Sequence, residues 1–97
     1  DKGATALAGV AFKGFLPIAR LLLEAGAGVD VANSVGRTPL MFAVMFGRDE
    51  MARLLLKAGA SPTQRDGEGL TAIDLAQRQG NAALVALMQG KTKGVAA

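Results

Sequence analysis

Gly67-Glu68-Gly69-Leu70-Thr71-Ala72 fits the G-x-G-x-x-A pattern, in which backbone amides at the mouth of a helix cradle a phosphate. That chemistry needs a buried strand before the first glycine and, about 20 residues on, a carboxylate to hold a ribose. Ser61 to Asp66 has no strand pattern, and no Asp or Glu lies between Leu75 and Ala97. Gly90-Lys91-Thr92 ends like a phosphate-binding loop, but the earlier glycine it requires is Val85. Asp49 and Glu50 are adjacent carboxylates, yet neighbouring positions on a helix do not face one another, and both are explained by the positive end of a helix dipole. Ser34 and Ser61 have no base in register, because the chain contains no histidine. The chemistry available to these residues therefore points away from catalysis, and the nucleotide-binding enzyme stays as a remote alternative. No metal site and no cofactor are expected.

Composition narrows the field further. The chain has 97 residues, 51% of them hydrophobic and 20% charged, enough for one small domain. With no cysteine there is neither a disulfide framework nor a thiolate metal site. The net charge is +3, and the basic residues are scattered from Lys2 to Lys93, so no nucleic-acid partner is expected. The longest apolar run, Pro39 to Phe46, is far short of the ~20 residues that span a bilayer, and no membrane partner is expected either.

The organising feature is a repeat. Shifting the sequence by 33 residues superposes Gly3, Thr5, Leu7, Gly14, Ala19, Arg20, Leu21, Leu22, Leu23 and Ala25 to Ala27 on identical residues between Gly36 and Ala60. A second shift pairs Gly36 with Gly69, Thr38 with Thr71, Ala43 with Ala76, Gly47 with Gly80 and Leu54 with Leu87. A period of this length marks a stacked array in which each unit buries its apolar face on the next. The copies are read as 1–33, 34–66 and 67–90, the last a C-terminal cap, with a flexible tail at 91–97.

Each copy predicts two short helices. In the middle one Thr38 is placed as N-cap and Pro39 as the first helical residue, where a missing N–H costs nothing. Leu40, Ala43 and Val44 form one stripe before Gly47; Met51, Leu54 and Leu55 form the next, ended by Gly59 in a left-handed cap. Glu50 is placed to pair with Arg53. The outer copies show matching stripes at Leu7, Val10, Ala11 with Ile18, Leu21, Leu22, and at Ile73, Ala76 with Leu84, Leu87, Met88. Helices this short do not stand alone. Gly28 to Arg37 and Ser61 to Leu70 have the composition of projecting loops or hairpin fingers. Gly9, inside a helix, predicts that the first copy is the loosest, by roughly 1 kcal/mol against alanine.

Gly36-Arg37-Thr38-Pro39-Leu40, then Gly47, then Ala52-Arg53-Leu54-Leu55-Leu56-Lys57-Ala58-Gly59-Ala60, resembles the ankyrin repeat, with its Thr-Pro-Leu turn and Leu-Leu-Leu-x-x-Gly-Ala ending. The resemblance implies an all-α solenoid of three stacked helix-turn-helix units with short hairpin-like loops. It also implies a non-enzymatic protein-protein interaction module. The family usually has histidine after Thr-Pro-Leu and after the inter-helix glycine, whereas this chain has Ala8, Met41, Asp74 and Phe15, Arg48, Asn81 there, so histidine-mediated bonding between fingers is expected to be missing. Gln77, Gln79, Asn81 and Gln89 give the last copy a polar face. Asp1 is read as starting inside a turn unit, and the face carrying Leu7, Val10 and Phe12 as one that upstream repeats or a partner must cover.

By position, the resemblance assigns partner contacts to Asp1, Lys2, Ala4, Phe12 and Lys13 in the first copy. In the second it assigns Ser34, Val35, Arg37, Met45 and Phe46, and in the third Glu68, Leu70, Arg78 and Gln79. Phe12, Val35, Met45, Phe46 and Leu70 then form an apolar cluster rimmed by Lys13, Arg37 and Arg78, the pattern of an interface hot spot. The competing expectation is that Phe12, Met45 and Phe46 merely fill gaps between helices. The expected partner is another protein, with the chain acting as an adaptor, inhibitor or immunity-type protein. A purely architectural segment of a larger array is the other class considered.

Overall fold

Two threonines decide where the inner helices begin. Thr38 and Thr71 are extended at φ −92° and −99°, and their hydroxyls accept from the amides of Met41 (3.3 Å) and Asp74 (3.1 Å). Asp74 closes a full capping box by accepting from the Thr71 N–H at 3.0 Å, while Met41 can offer the Thr38 N–H only a sulfur at 3.5 Å. In the computed structural model, which describes residues 2–92 and the side chains of 6–90, six helices follow from such signals. They are α1 Lys2–Lys13, α2 Leu16–Glu24, α3 Pro39–Met45, α4 Asp49–Lys57, α5 Ala72–Arg78 and α6 Ala82–Thr92. Among the described residues there is no strand.

The first inner helix departs from expectation. Instead of a turn at the start of the chain, α1 is already helical at Lys2, and Thr5 lies within it. The reason is local: Ala8 stands where Met41 and Asp74 complete a cap, and Ala6 where Pro39 blocks helix extension. At the other end, α6 carries Lys91 and Thr92 as helix, with Asn81 capping it through the Leu84 amide at 3.2 Å. Residues 93–97 of the segment read as a tail lie outside the described residues.

The helices pair as α1·α2, α3·α4 and α5·α6, and the hairpins stack chiefly through their inner members, α1 on α3 on α5. Alanines at 11, 43, 52 and 76, all fully buried, let the backbones come close. Leu7, Leu40, Met41 and Val44 of the inner row and Met51, Leu55, Leu84 and Met88 of the outer row fill the space between, each fully buried. Burial of this kind stabilises by about 1.5–3 kcal/mol per large side chain. Glu50 and Arg53 form no ion pair among the described residues; both are exposed, where such a pair contributes little.

Leu7, expected on an uncovered face, is instead fully buried against the second hairpin. The exposed apolar face of the first hairpin belongs to α2 and the turn before it, where Phe15, Ile18 and Leu21 stand in water. Ile18 is 46% exposed, although its counterpart one period on, Met51, is 1% exposed and the next, Leu84, is fully buried.

The fingers repeat each other atom for atom. Asn33 Oδ1 accepts from the amides of Val35 and Arg37 at 3.0 and 2.9 Å, and Asp66 Oδ1 accepts from those of Glu68 and Leu70 at 2.8 and 2.9 Å. Each residue's own amide bonds the carbonyl four residues later, closing a tight loop. The two fingers are then joined by the Gly67 amide donating to Val35 O at 2.8 Å. Gly36, at φ +81°, must be glycine twice over: a Cβ there would lie 2.7 Å from the Gly67 nitrogen. Finger-to-finger bonding thus exists without histidine.

Candidate functional site

Phe12, near the end of α1, and Phe46, the C-cap of α3, come from adjacent hairpins and meet edge to face, with centroids 4.4 Å apart and planes at 80°. They are 42% and 47% exposed, and neither belongs to the fully buried core. An edge-to-face pair contributes about 0.5–1.5 kcal/mol beyond its area. Beside the pair lies a concavity of about 390 Å³. Ala8 and Gly9 form its α1 wall, Phe42 and Phe46 its α3 wall, and Val31, Ala32 and Asn33 at the finger base close the third side.

The residues expected to contact a partner fall into three groups. Phe12 and Phe46 are brought together in the groove, with Lys13 following Phe12 and its Nζ 6.0 Å from the Phe15 ring centroid. Ser34 and Val35 are exposed on the finger, while Met45 and Leu70 are half-buried and pack on the core. Arg37 and Glu68 meet at 3.5 Å, and Arg37 Nε lies 3.8 Å from a buried Asp66 oxygen, so this guanidinium ties one finger to the next rather than standing on an open rim. Gln79 is likewise engaged, its Nε2 donating to Met45 O at 2.9 Å. Arg78 is exposed on α5. Asp1 and the side chains of Lys2 and Ala4 lie outside the described residues.

Phe42, Gly9, Val31 and Ala32 were not among the expected contacts. Phe42 sits in an unbroken apolar run and reads as core, and Val31 and Ala32 read as loop. The one legible signal was in phase with it: Gly9 occupies the place that Phe42 and Leu75 fill one and two periods later. The missing side chain is what opens the concavity.

Electrostatics at the fingers is directional. The Leu70 amide, above all, holds the Asp66 carboxyl below the ordinary carboxylate range; the Glu68 amide, Arg37 and Arg78 add to this, against the opposing effect of burial. Asp74 is lowered chiefly by the Thr71 amide in the capping box, with Arg65 and Arg78 assisting. The loop that resembles a phosphate cradle has its amides occupied: Gly67 donates to Val35 O, Glu68 and Leu70 to the Asp66 carboxylate, and Gly69 to Asp66 O. A carboxylate already fills the place a phosphate would need. Among the described residues, no group of three His, Cys, Asp or Glu side chains could hold a metal ion, and no helix is long and apolar enough to cross a membrane.

Comparison with known proteins agrees with this geometry. A family model described as ankyrin repeats, in three copies, matches residues 1–66, more than half of the 97-residue chain. No curated protein matches the chain. The hairpin α5·α6 beyond the matched residues continues the same stacking.

Proposed function

Because this chain belongs to the ankyrin-repeat family, whose members are generally non-enzymatic protein-interaction modules, we propose that it grips a partner protein in the groove centred on Phe12 and Phe46. The observation that carries this reading is that paired, half-exposed aromatic rings stand beside an apolar concavity on a scaffold whose fully buried core does not include them. Rigid aromatic anchors of this kind dominate interface energetics. Lys13, Ser34, Val35 and Arg78 would then supply an outer ring of contacts, with Met45 and Leu70 beneath it and Arg37, Glu68 and Gln79 holding the surface in shape. An adaptor, an inhibitor or an immunity-type role would each use the surface in this way.

The test is a paired measurement on Phe46→Ala. Partner capture with the intact chain as bait should weaken by roughly 30-fold, about 2 kcal/mol, while urea denaturation changes by about 2 kcal/mol or less. A stability loss of about 3–5 kcal/mol would instead place the ring in the core and overturn the reading.

One observation favours an architectural contribution besides binding. Ile18 is exposed at the position where Met51 and Leu84, one and two periods later, are buried. In the working protein that face is covered, by a preceding hairpin or a partner. Fusing one generic ankyrin hairpin ahead of α1 should raise the melting temperature by several degrees; an unchanged value would count against cover by a repeat.

A further inference from the structure

We infer that the outer helices carry a second docking surface, which fits an acidic polypeptide segment with an apolar residue beside its carboxylates. It shares no lining residue with the groove at Phe12 and Phe46 and stands whether or not that groove binds a partner. The hairpins stack chiefly through their inner helices, so the outer ones touch far less, and between them lies a concavity of about 780 Å³. On α4, Glu50, Arg53, Leu54 and Lys57 line it at i, i+3, i+4 and i+7, the spacing of a single helix face. Arg20, one period before Arg53, enters from α2, and Leu87, one period after Leu54, from α6. The row of arginines ends there, because Ala86 stands in the last hairpin where Arg20 and Arg53 stand in the others. The surface is therefore basic toward α2 and apolar toward α6, where Leu87 is 40% exposed.

Charge decides the occupant. Among the described residues, Arg20, Arg53 and Lys57 form no ion pair and donate no side-chain hydrogen bond, and Glu50, the one carboxylate lining the concavity, is equally unpaired. Three cations against one carboxylate leave a positive cleft, and its leucine walls strengthen the field inside it. Carboxylates over Arg20, Arg53 and Lys57, with an apolar side chain on Leu54 and Leu87, complement both halves. Nucleic acid fits less well, since no aromatic ring lines the concavity for a base to stack on and Glu50 repels a continuous row of phosphates. An anionic bilayer is held by larger basic clusters than these three side chains. A second copy of the chain has little to offer: Asp30, Asp49, Asp66, Glu68 and Asp74 are each bonded within their own fold.

A random-peptide display library selected on the intact chain, with recovered peptides resynthesised and titrated by fluorescence anisotropy, tests this. The expected peptides combine two or more Asp or Glu with one large apolar residue, and replacing that residue by serine should weaken them about five- to tenfold. Arg20→Gln with Arg53→Gln should weaken binding about three- to tenfold, whereas Glu50→Gln, which removes the opposing charge, should strengthen it about twofold. Melting temperature should not fall in either variant, because all three side chains are exposed, and Phe46→Ala should leave these peptides unaffected. Peptides lost on Phe46→Ala but indifferent to the arginines would overturn this inference and leave the Phe12 and Phe46 reading standing. Acidic peptides indifferent to the arginines or weakened by Glu50→Gln, or a selection that yields no acidic peptide, would also overturn it. So would a single-stranded oligonucleotide or phosphatidylserine vesicles that bind more tightly than the peptides and are lost in the arginine variant.

Discussion

The outer helices of the first and second hairpins share a run of identical residues and live in different surroundings. Ala19 to Leu23 and Ala52 to Leu56 match position by position, yet Leu21 is 65% exposed while Leu54 is half-buried. The difference teaches that burial in a stacked array belongs to the neighbour as much as to the residue. The middle hairpin is sandwiched, whereas the first is covered on one side only. The same asymmetry builds the groove, since the second hairpin supplies Phe42 and Phe46 and the first supplies Phe12 and a vacancy at Gly9.

The sharpest way to break this comparison is to truncate equivalent side chains. Met51→Ala should cost about 2–5 kcal/mol in urea denaturation, and Ile18→Ala no more than about 1 kcal/mol, because its methyls already meet water. Equal losses would mean that the two hairpins are equally covered. Next in size is a pair of finger glycines. Gly36→Ala forces a Cβ against the backbone of the following finger and should destabilise by about 1–3 kcal/mol. Gly69→Ala has the same φ of +81° but open space around it, and its loss should be the smaller of the two.

A double-mutant cycle on Phe12→Ala and Phe46→Ala measures what joins the hairpins at the groove. A coupling of about 0.5–1.5 kcal/mol is expected, and zero coupling would show that the rings touch without stabilising each other. The smallest effect concerns the fingers. Asp66 has a depressed pKa in the fold, so its contribution is present above the unfolded carboxylate value of about 3.9 and disappears as pH falls through the lower folded value. Asp66→Asn should keep the loop, because Asn33 already makes the same two bonds in the preceding finger. It should flatten the acid limb of stability against pH; an unaltered limb would assign that limb to Asp74 or another carboxylate.

Much of the fold was legible because its signals are local. Thr38-Pro39 marks a helix start whatever surrounds it, and a glycine in phase at 14, 47 and 80 marks each inter-helix turn, with φ between +70° and +76° in all three. The candidate site was legible only in part. Phe12 and Phe46 stood out as aromatic residues at positions that face outward in the repeat. Phe42 did not, because an apolar residue on a helical stripe looks the same whether or not a neighbour covers it. Arg37 reads as a free cation in one dimension, and only the stacking of fingers brings Asp66 and Glu68 to it. Gly9 reads as a flaw in a helix; the flaw becomes a hole once Val31 and Phe42 are set around it.

By itself, the order of residues determined the period, the caps, the turns and the apolar stripes, since each depends on groups within a few positions of one another along the chain. Tertiary structure alone decided which stripes are covered, which charges are paired and where a concavity remains. Those properties arise between groups about 33 residues apart in sequence, and they come into contact only when one hairpin lies against the next.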